Sequence, residues 1–385
     1  MNRPLQVYEF FAGGGMARLG LGKAWTCSFA NDFDPIKASV YRANFSDAPD
    51  HFRAGDVWSL DPASLPGQAN LAWASSPCQD LSLAGTRAGL EGGRSSAFHG
   101  FWRLVEALDA EGRAPPILVI ENVSGLLTSG QGQDLVQLAR LLTGRGYDFG
   151  ILEIDTARFL PQSRPRIFII ATRLPVPGHL TGPSPFRTRG VLAAKDRLPP
   201  ELSAHWIDWR CPAPDAPRPD LIDLLQVEDQ VVWHSPAQTE HLKSLMPPLH
   251  LEQARTQARA DEQSVATLYR RTRPGHGQRA EARFDGLAGC LRTPKGGSSR
   301  QILLVMGKGQ IRTRLMTPRE GARLMGLPDS YDLPRGATAG FQVVGDGVAV
   351  PVVSWLSQTL LEPLALSFPP PDPQQTSGAK PAFSV

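Results

Sequence analysis

Leu71-Ala72-Trp73-Ala74-Ser75-Ser76-Pro77-Cys78-Gln79-Asp80-Leu81-Ser82 is the stretch from which the fold is read. Four apolar residues in a row, with no polar alternation, read as a strand buried on both faces. The chain turns polar at Ser75-Ser76, and Pro77 then fixes φ one residue before a cysteine. Open α/β sheets keep their chemistry at the carboxyl ends of strands, which is where Cys78 stands. Residues 84–94 that follow are too polar and too rich in glycine for a regular element and suit a loop. A lone cysteine is more often a small buried hydrophobe than a nucleophile, so the neighbouring segments have to decide.

Upstream, residues 5–11 are a β-type run ending in Ala12-Gly13-Gly14-Gly15, followed by the helix-like Met16-Ala17-Arg18-Leu19-Gly20-Leu21. Strand, glycine turn and helix open nucleotide-binding folds, because glycine lets the backbone approach a ligand and the helix start favours negative groups. The spacing is not that of the dinucleotide GxGxxG motif. A second apolar run, Cys27-Ser28-Phe29-Ala30, ends in Asn31-Asp32. Asp32 either binds ribose hydroxyls at the end of strand two or caps a helix beginning near Pro35. Asp56, after Ala54-Gly55, poses the same choice.

Downstream, Phe98, Phe101, Trp102, Val105 and Leu108 recur at helical spacing and read as core. Ile117-Leu118-Val119-Ile120 reads as another buried parallel strand, ending in Glu121-Asn122-Val123. Its carboxylate would face the same crevice as Cys78, whereas the bland alternative is a surface-loop glutamate. A helix over residues 134–142 and a strand over 151–154 follow. Gln162-Ser163-Arg164-Pro165-Arg166 then enters the apolar strand Ile167-Phe168-Ile169-Ile170-Ala171. The alternation predicts an α/β fold with one doubly wound sheet.

At 385 residues the chain can bury two cores, and 41% hydrophobic with 20% charged residues excludes global disorder. Cys27, Cys78, Cys211 and Cys290 form no CxxC pair, and the eight histidines show no ligand spacing. Both facts argue against a disulfide framework or a metal site, and for a reducing cytoplasm. No apolar run reaches spanning length, and the first residues lack a signal peptide's plan. Net charge is only +3, but residues 270–323 carry thirteen Lys and Arg against Glu281, Asp285 and Glu320. Arginines spaced by Gly, Ser and Thr suit phosphate contacts better than a solvated helix face.

Past Arg173 the chain is proline-rich, with helical patches at 221–226 and 236–245 and a strand at 265–271. Helical periodicity returns at Thr317, and Gly345-Asp346-Gly347-Val348-Ala349-Val350-Pro351 opens an apolar helix to about residue 366. The expected organisation is one domain of residues 1–173 plus about 335–368, and a smaller irregular one of about 174–334. Residues 369–385 read as a disordered tail.

Taken in order, these blocks resemble the DNA cytosine-C5 methyltransferases of the bacterial restriction-modification type. Phe10-Phe11-Ala12-Gly13-Gly14-Gly15 looks like the family's S-adenosylmethionine loop, and Ser76-Pro77-Cys78-Gln79 like its Pro-Cys-Gln motif. Glu121-Asn122-Val123 is similar to its Glu-Asn-Val triplet, and Gln162 to Arg166 to its Gln-x-Arg-x-Arg block. Thr317-Pro318-Arg319-Glu320 with Ala322-Arg323-Leu324 resembles the late motif that frames target recognition, and residues 345–351 the closing motif. Glu9 stands where many members have Asp, Met16 where many have Gly, Asp80 where many have Pro or Ser, and Asp346 where many have Asn. The Cys-Phe-Thr of the tRNA-modifying branch is missing.

The resemblance implies a Rossmann-like class I S-adenosylmethionine-dependent sheet carrying a target-recognition domain. It implies a catalytic set of Cys78, Glu121, Arg164, Arg166, Pro77 and Gln79. The donor would be held by Phe11, Ala12, Gly13, Gly14, Gly15, Asp32, Phe33, Asp56, Val57, Pro77, Leu104, Asp346 and Val348, leaving S-adenosylhomocysteine, with no metal. Double-stranded DNA is the implied partner, beside a cognate restriction endonuclease or defence system; a monomer in the bacterial cytoplasm, on the nucleoid, is expected. The chemistry suits these residue types. Cytosine C5 becomes nucleophilic once a thiolate adds at C6, and a carboxyl on the N3 and 4-amino edge stabilises the charge that develops. The target base has to be flipped out of the duplex. The competing readings are an RNA cytosine-C5 methyltransferase and a silent DNA-binding module.

Overall fold

The computed structural model describes residues 4–76, 97–273, 277–293 and 300–367. β1 (Leu5–Phe10), β2 (Trp25–Asp32), β3 (Phe52–Ala54), β4 (Leu71–Ala74), β5 (Ile117–Asn122), β6 (Asp148–Asp155) and β7 (Pro165–Thr172) form one sheet. Its order is β3-β2-β1-β4-β5-β7-β6. The continuous apolar runs are explained by cover on both faces. Val7, Leu71, Trp73, Ile117, Val119, Phe168 and Ile170 belong to one hydrophobic cluster. Their alternating neighbours Tyr8, Phe10, Ala72, Ala74, Leu118, Ile120, Ile167 and Ile169 belong to the other. Period-2 alternation therefore partitions two cores rather than core and solvent.

The alternation expected up to Ala171 stops one step early. β7 pairs antiparallel with both β5 and β6. The link between β6 and β7 holds only a 3-10 turn, Thr156–Arg158, which is too short for the crossover that parallel neighbours need. One consequence matters for the site. The first residues of β7 lie on the same sheet edge as the last residues of β5, with Glu121 paired to Phe168 and Asn122 to Ile167.

The unit expected to be irregular contains a regular sheet. β8 (Ser264–Arg273), β9 (Gly277–Arg283), β10 (Ile302–Gly307) and β11 (Gln310–Leu315) pair antiparallel in the order β11-β10-β8-β9. Helices Pro236–Ser244 and Pro248–Ala258 cover one face, where Leu242, Met246 and Ala254 meet Ala266, Leu268, Ile302 and Leu304. β9 escapes a sequence reading because its buried positions are only Ala280 and Ala282 among polar residues.

The proline-rich stretch after Arg173 packs on the first sheet. Leu180, Phe186, Trp209 and Leu221 join one of its clusters, and Val191, Ala194, Leu198 and Leu202 the other. Trp209 Nε1 donates to the Ile170 carbonyl at 3.2 Å. One face of the second sheet has its own core, whose buried side chains lie between Leu242 and Met306, while Val265, Leu303 and Val305 on the other face join the first cluster. Ala337–Leu366 has the length and composition to cross a membrane, but its apolar side chains, including Phe341, Val353, Leu360 and Leu364, are in the first core. A Cβ on Gly20 would stand 2.5 Å from Val353 Cβ, so this glycine lets the last helices dock against the first.

Candidate active site

From β1 the chain steps through β2 and β3 to one side, then through β4 and β5 to the other. The sheet thus extends in opposite directions from β1 and β4, and a crevice lies at the carboxyl ends of these two strands. It is a cleft of 820 Å³. The glycine turn forms its near wall. Phe11, Gly13 and Gly15 have φ of 56°, 57° and 81°, so the backbone is left-handed three times in five residues. A Cβ on Gly14 would stand 2.3 Å from Tyr331 Oη, and one on Gly15 would stand 2.2 Å from a ring carbon of Phe45. On Gly13 the nearest heavy atom would be 4.0 Å away. Gly13 thus faces the cleft with Phe11 and Ala12, while Gly14 and Gly15 are required by packing behind it.

The structure removes one of the two alternatives at Asp32, the helix cap. Its Oδ2 accepts from Gly13 N at 2.8 Å and its Oδ1 from Asp34 N at 2.8 Å. The helix cap is Asp34, which accepts from Ile36 N and Lys37 N at 2.9 and 3.2 Å. Asp32 lines the cleft, and burial raises its carboxyl above the usual range against the pull of Lys37 and the two N–H donors. Asp56 caps a short turn by accepting from Trp58 N at 3.0 Å, and with Val57 it also lines the cleft. Phe33 lines it too and is 68% exposed, a large aromatic ring with an unoccupied face.

Three further groups bear on a ligand. Glu9 is 1% exposed; its Oε1 accepts from Arg18 N at 3.2 Å, whereas Oε2 has no partner. Burial pushes its carboxyl up to about 8. Trp58 lines the same cleft as Phe33, and Asp346 closes its rim by accepting from Lys37 Nζ and Thr293 Oγ1 at 2.8 and 2.6 Å. Val348 lines the floor. An unmatched buried carboxyl oxygen, an open backbone turn and the exposed Phe33 ring suit a molecule with an ammonium group and a flat base.

The far wall carries the acid. Ser75 and Ser76 line the cleft at the end of β4, and Asn122 Nδ2 ties β5 to them by donating to the Ser76 carbonyl at 3.1 Å. One residue earlier, Glu121 Oε1 lies 3.1 Å from Arg166 Nε, with side-chain exposures of 9% and 17%. The antiparallel run of β7 brings Arg166 there. Pro77, Cys78, Gln79 and residues 84–94 lie outside the described residues, although the strand that leads to them ends at this wall.

Of two further expected site residues, Arg164 lines the cleft but spends its donors on the chain behind it, and Leu104 does not line the cleft. Arg164, 2% exposed, donates from Nη1 to Cys290 Sγ and Leu291 O at 3.3 and 3.2 Å. Its Nη2 donates to Gly345 O and Gly347 O at 3.0 and 2.7 Å. It is a tie between distant segments, and its guanidinium has no donors left over to hold a phosphate beyond the buried Nε. Leu104, fully buried on the helix Ala97–Ala110, belongs to the core behind the sheet, because the apolar stripe of that helix faces inward. Among the residues that sequence reasoning missed, Trp58 follows Asp56 by two positions, and Cys290 has no local signal at all.

The basic run is also divided. Arg314 is buried against Glu320 (2.5 Å), Arg323 pairs with Asp329, Arg312 with Glu228, and Arg319 donates to two carbonyls. Arg270, Arg271, Arg283, Arg292 and Arg300 line a second cleft of 710 Å³ between the β8–β9 hairpin and the Gly289-Cys290-Leu291 segment, with Arg283 paired to Asp285 and Arg271 to Glu281. Among the described residues no group of His, Cys, Asp or Glu is placed to hold a metal ion.

Comparison with known proteins agrees with this geometry. Residues 5–362 match the family model described as C-5 cytosine-specific DNA methylase. The type II methyltransferase M.HhaI of Haemophilus parahaemolyticus is 24% identical over 363 residues, 92% of this chain and 94% of that one. M.NgoBI of Neisseria gonorrhoeae is 31% identical over 195 residues, 50% of this chain and 58% of that one. Among solved structures, the S. pombe Dnmt2 methyltransferase superposes with a TM-score of 0.57 at 18% identity, covering 94% of this chain and 99% of that one. That likeness is one of fold.

Proposed function

The chain belongs to the C-5 cytosine-specific DNA methylase family, and on that premise we propose that it methylates C5 of a cytosine within a short specific sequence of duplex DNA. The observation that carries the proposal is the buried Glu121–Arg166 pair, which shares one cleft with the glycine turn, Asp32 and Glu9. When bound, S-adenosylmethionine supplies an electrophilic methyl group. The residues present fit it: Glu9 Oε2 is an unmatched acceptor for an ammonium among the described residues, Asp32 and Asp56 keep lone pairs for hydroxyls, and the exposed Phe33 ring offers a face for a flat base.

In this reading Cys78 adds as thiolate to C6 of a flipped-out cytosine and breaks its aromaticity. Glu121 accepts a hydrogen bond from the 4-amino group and relays a solvent proton to N3, which neutralises the charge that builds there as the thiolate adds. Arg166 holds Glu121 in place and presents a fixed cation to the O2 side. Arg164 acts at one remove, fixing the segments that carry Cys290, Gly345 and Gly347. Loss of the C5 proton and elimination of Cys78 complete the turnover. The second sheet, with its arginine-lined cleft, is the unit that reads DNA.

The test is transfer of labelled methyl groups from S-adenosylmethionine to unmethylated genomic DNA and, in parallel, to tRNA. Label in DNA with recurring bisulfite-resistant cytosines in one context is expected. Label in tRNA alone would replace this reading by the RNA one.

A further inference from the structure

The segment from Leu287 to Leu291 lies between the two sheets and is bonded to both. On one side Ser163 N donates to the Ala288 carbonyl at 2.8 Å, and Ala288 N donates to the Pro161 carbonyl at 2.7 Å. Leu291 N donates to Gln162 Oε1 at 3.1 Å. The segment therefore runs as a short added strand along the block that bears Arg164 and Arg166. On the other side, Gln301 grips Gly289 by both main-chain groups. Gly289 N donates to Gln301 Oε1 at 3.0 Å, and Gln301 Nε2 donates to the Gly289 carbonyl at 2.8 Å. Tyr269 Oη donates to the same Oε1 at 3.0 Å.

This clasp has little slack. Gln301 is 7% exposed, and an amide with both ends engaged has a single orientation. A Cβ on Gly289 would stand 1.9 Å from Tyr269 Oη, so only glycine lets the three groups close. Tyr269 sits on β8 one residue before Arg270, and Tyr269, Gly289 and Gln301 all line the arginine cleft. Beyond Gly289 the next residue is Cys290, whose Sγ accepts from Arg164 Nη1 at 3.3 Å and from Arg166 Nη2 at 3.9 Å.

We infer that Tyr269 and Gln301 are positioning residues, which through Gly289 and Cys290 couple occupancy of the arginine cleft by DNA to the placement of Arg166 against Glu121. A shift of the Gly289 backbone is transmitted to the Cys290 sulfur and from there to the guanidinium. The inference rests on the DNA-methylation reading above.

The experiment measures single-turnover methyl transfer and equilibrium binding with the full chain and a duplex bearing its mapped site. Tyr269→Phe removes one hydroxyl and keeps the ring. Its rate constant at saturating duplex and donor is expected to fall about tenfold, on the scale that small misplacements of catalytic groups cost, with both dissociation constants and Tm unchanged. Gln301→Met removes all three bonds and is expected to cost more. Adding Tyr269→Phe to it should cost nothing further, because the hydroxyl acts only through the amide. A Tyr269→Phe rate equal to wild type, a loss accounted for by weaker duplex binding, or additive losses in the double variant would each overturn the inference. If Gln301→Met does not fold, Tyr269→Phe decides alone. A wild-type chain that methylates no DNA would overturn the inference together with the reading beneath it, whereas an active wild type with an unimpaired Tyr269→Phe overturns the inference only.

Discussion

Glu121→Gln keeps the shape of the side chain and removes its charge, which makes it the sharpest probe of the far wall. The pair it breaks has Oε1 and Nε 3.1 Å apart and largely out of water. At an effective dielectric of about 20, two unit charges at that distance attract by about 5 kcal/mol, and desolvation of both partners offsets a large part of this. The part that counts for catalysis is the share that grows as charge builds on the cytosine edge. Loss of one such preorganised group typically costs about 3 kcal/mol, or a factor of about 10² to 10³ in kcat. Cofactor affinity should stay within about threefold of wild type, since Glu9, Asp32 and Phe33 lie on the opposite wall. Arg166→Lys cannot reproduce the planar contact from Nε and should lose a similar factor. Because the two act as a unit, the double variant should be little worse than the poorer single one. The assay is single-turnover methyl transfer at saturating DNA and donor. A Glu121→Gln rate within threefold of wild type, or multiplicative losses in the double variant, would refute the reasoning.

Three other outcomes follow from particular residues. Glu9 ordinarily ionises near 4.5 and is held up to about 8 by burial, so it is neutral in both states below 4.5 and ionised only in the unfolded chain between the two values. Its contribution to stability is therefore complete at low pH and is lost as pH rises towards 8, and Glu9→Gln should flatten that slope in urea titrations run from pH 5 to 9; unchanged slopes would contradict the assignment. Glu320→Ala strands Arg314, which is 1% exposed, and also leaves Gln226 N and Thr317 N without their acceptor; a stability loss of about 3–5 kcal/mol is expected, with a loss under 1 kcal/mol the contrary result. Leu104→Ala should cost about 2–5 kcal/mol of stability and leave the donor KM unchanged, while Phe33→Ala should do the reverse.

The sequence carried the first sheet openly. Runs such as Leu71 to Ala74 and Ile117 to Ile120 could be nothing but strands covered on both faces, and their polar ends marked the crevice. In the far sheet β8 was legible, whereas β9 was hidden because it buries alanines rather than large side chains, leaving no periodic contrast to read. Cleft-lining positions were legible where they stand at a strand end, as at Asp32, Asp56 and Glu121. The ties of Arg164 were not legible, because its acceptors, Cys290 and Gly347, lie 126 and 183 residues further along the chain. No spacing rule registers such contacts. The Gln301 clasp was invisible for the same reason.

The most direct test of the central claim is to trap Cys78 on its substrate. A duplex carrying 5-fluorocytosine at the methylated position should accept the thiolate and the methyl group but cannot lose fluorine as a proton is lost, so the adduct persists. Mass spectrometry of the digested complex is predicted to find the nucleotide on the peptide containing Cys78, with one added methyl group, and to find nothing with Cys78→Ser. An adduct at another residue, or undiminished methylation by Cys78→Ser, would contradict the account.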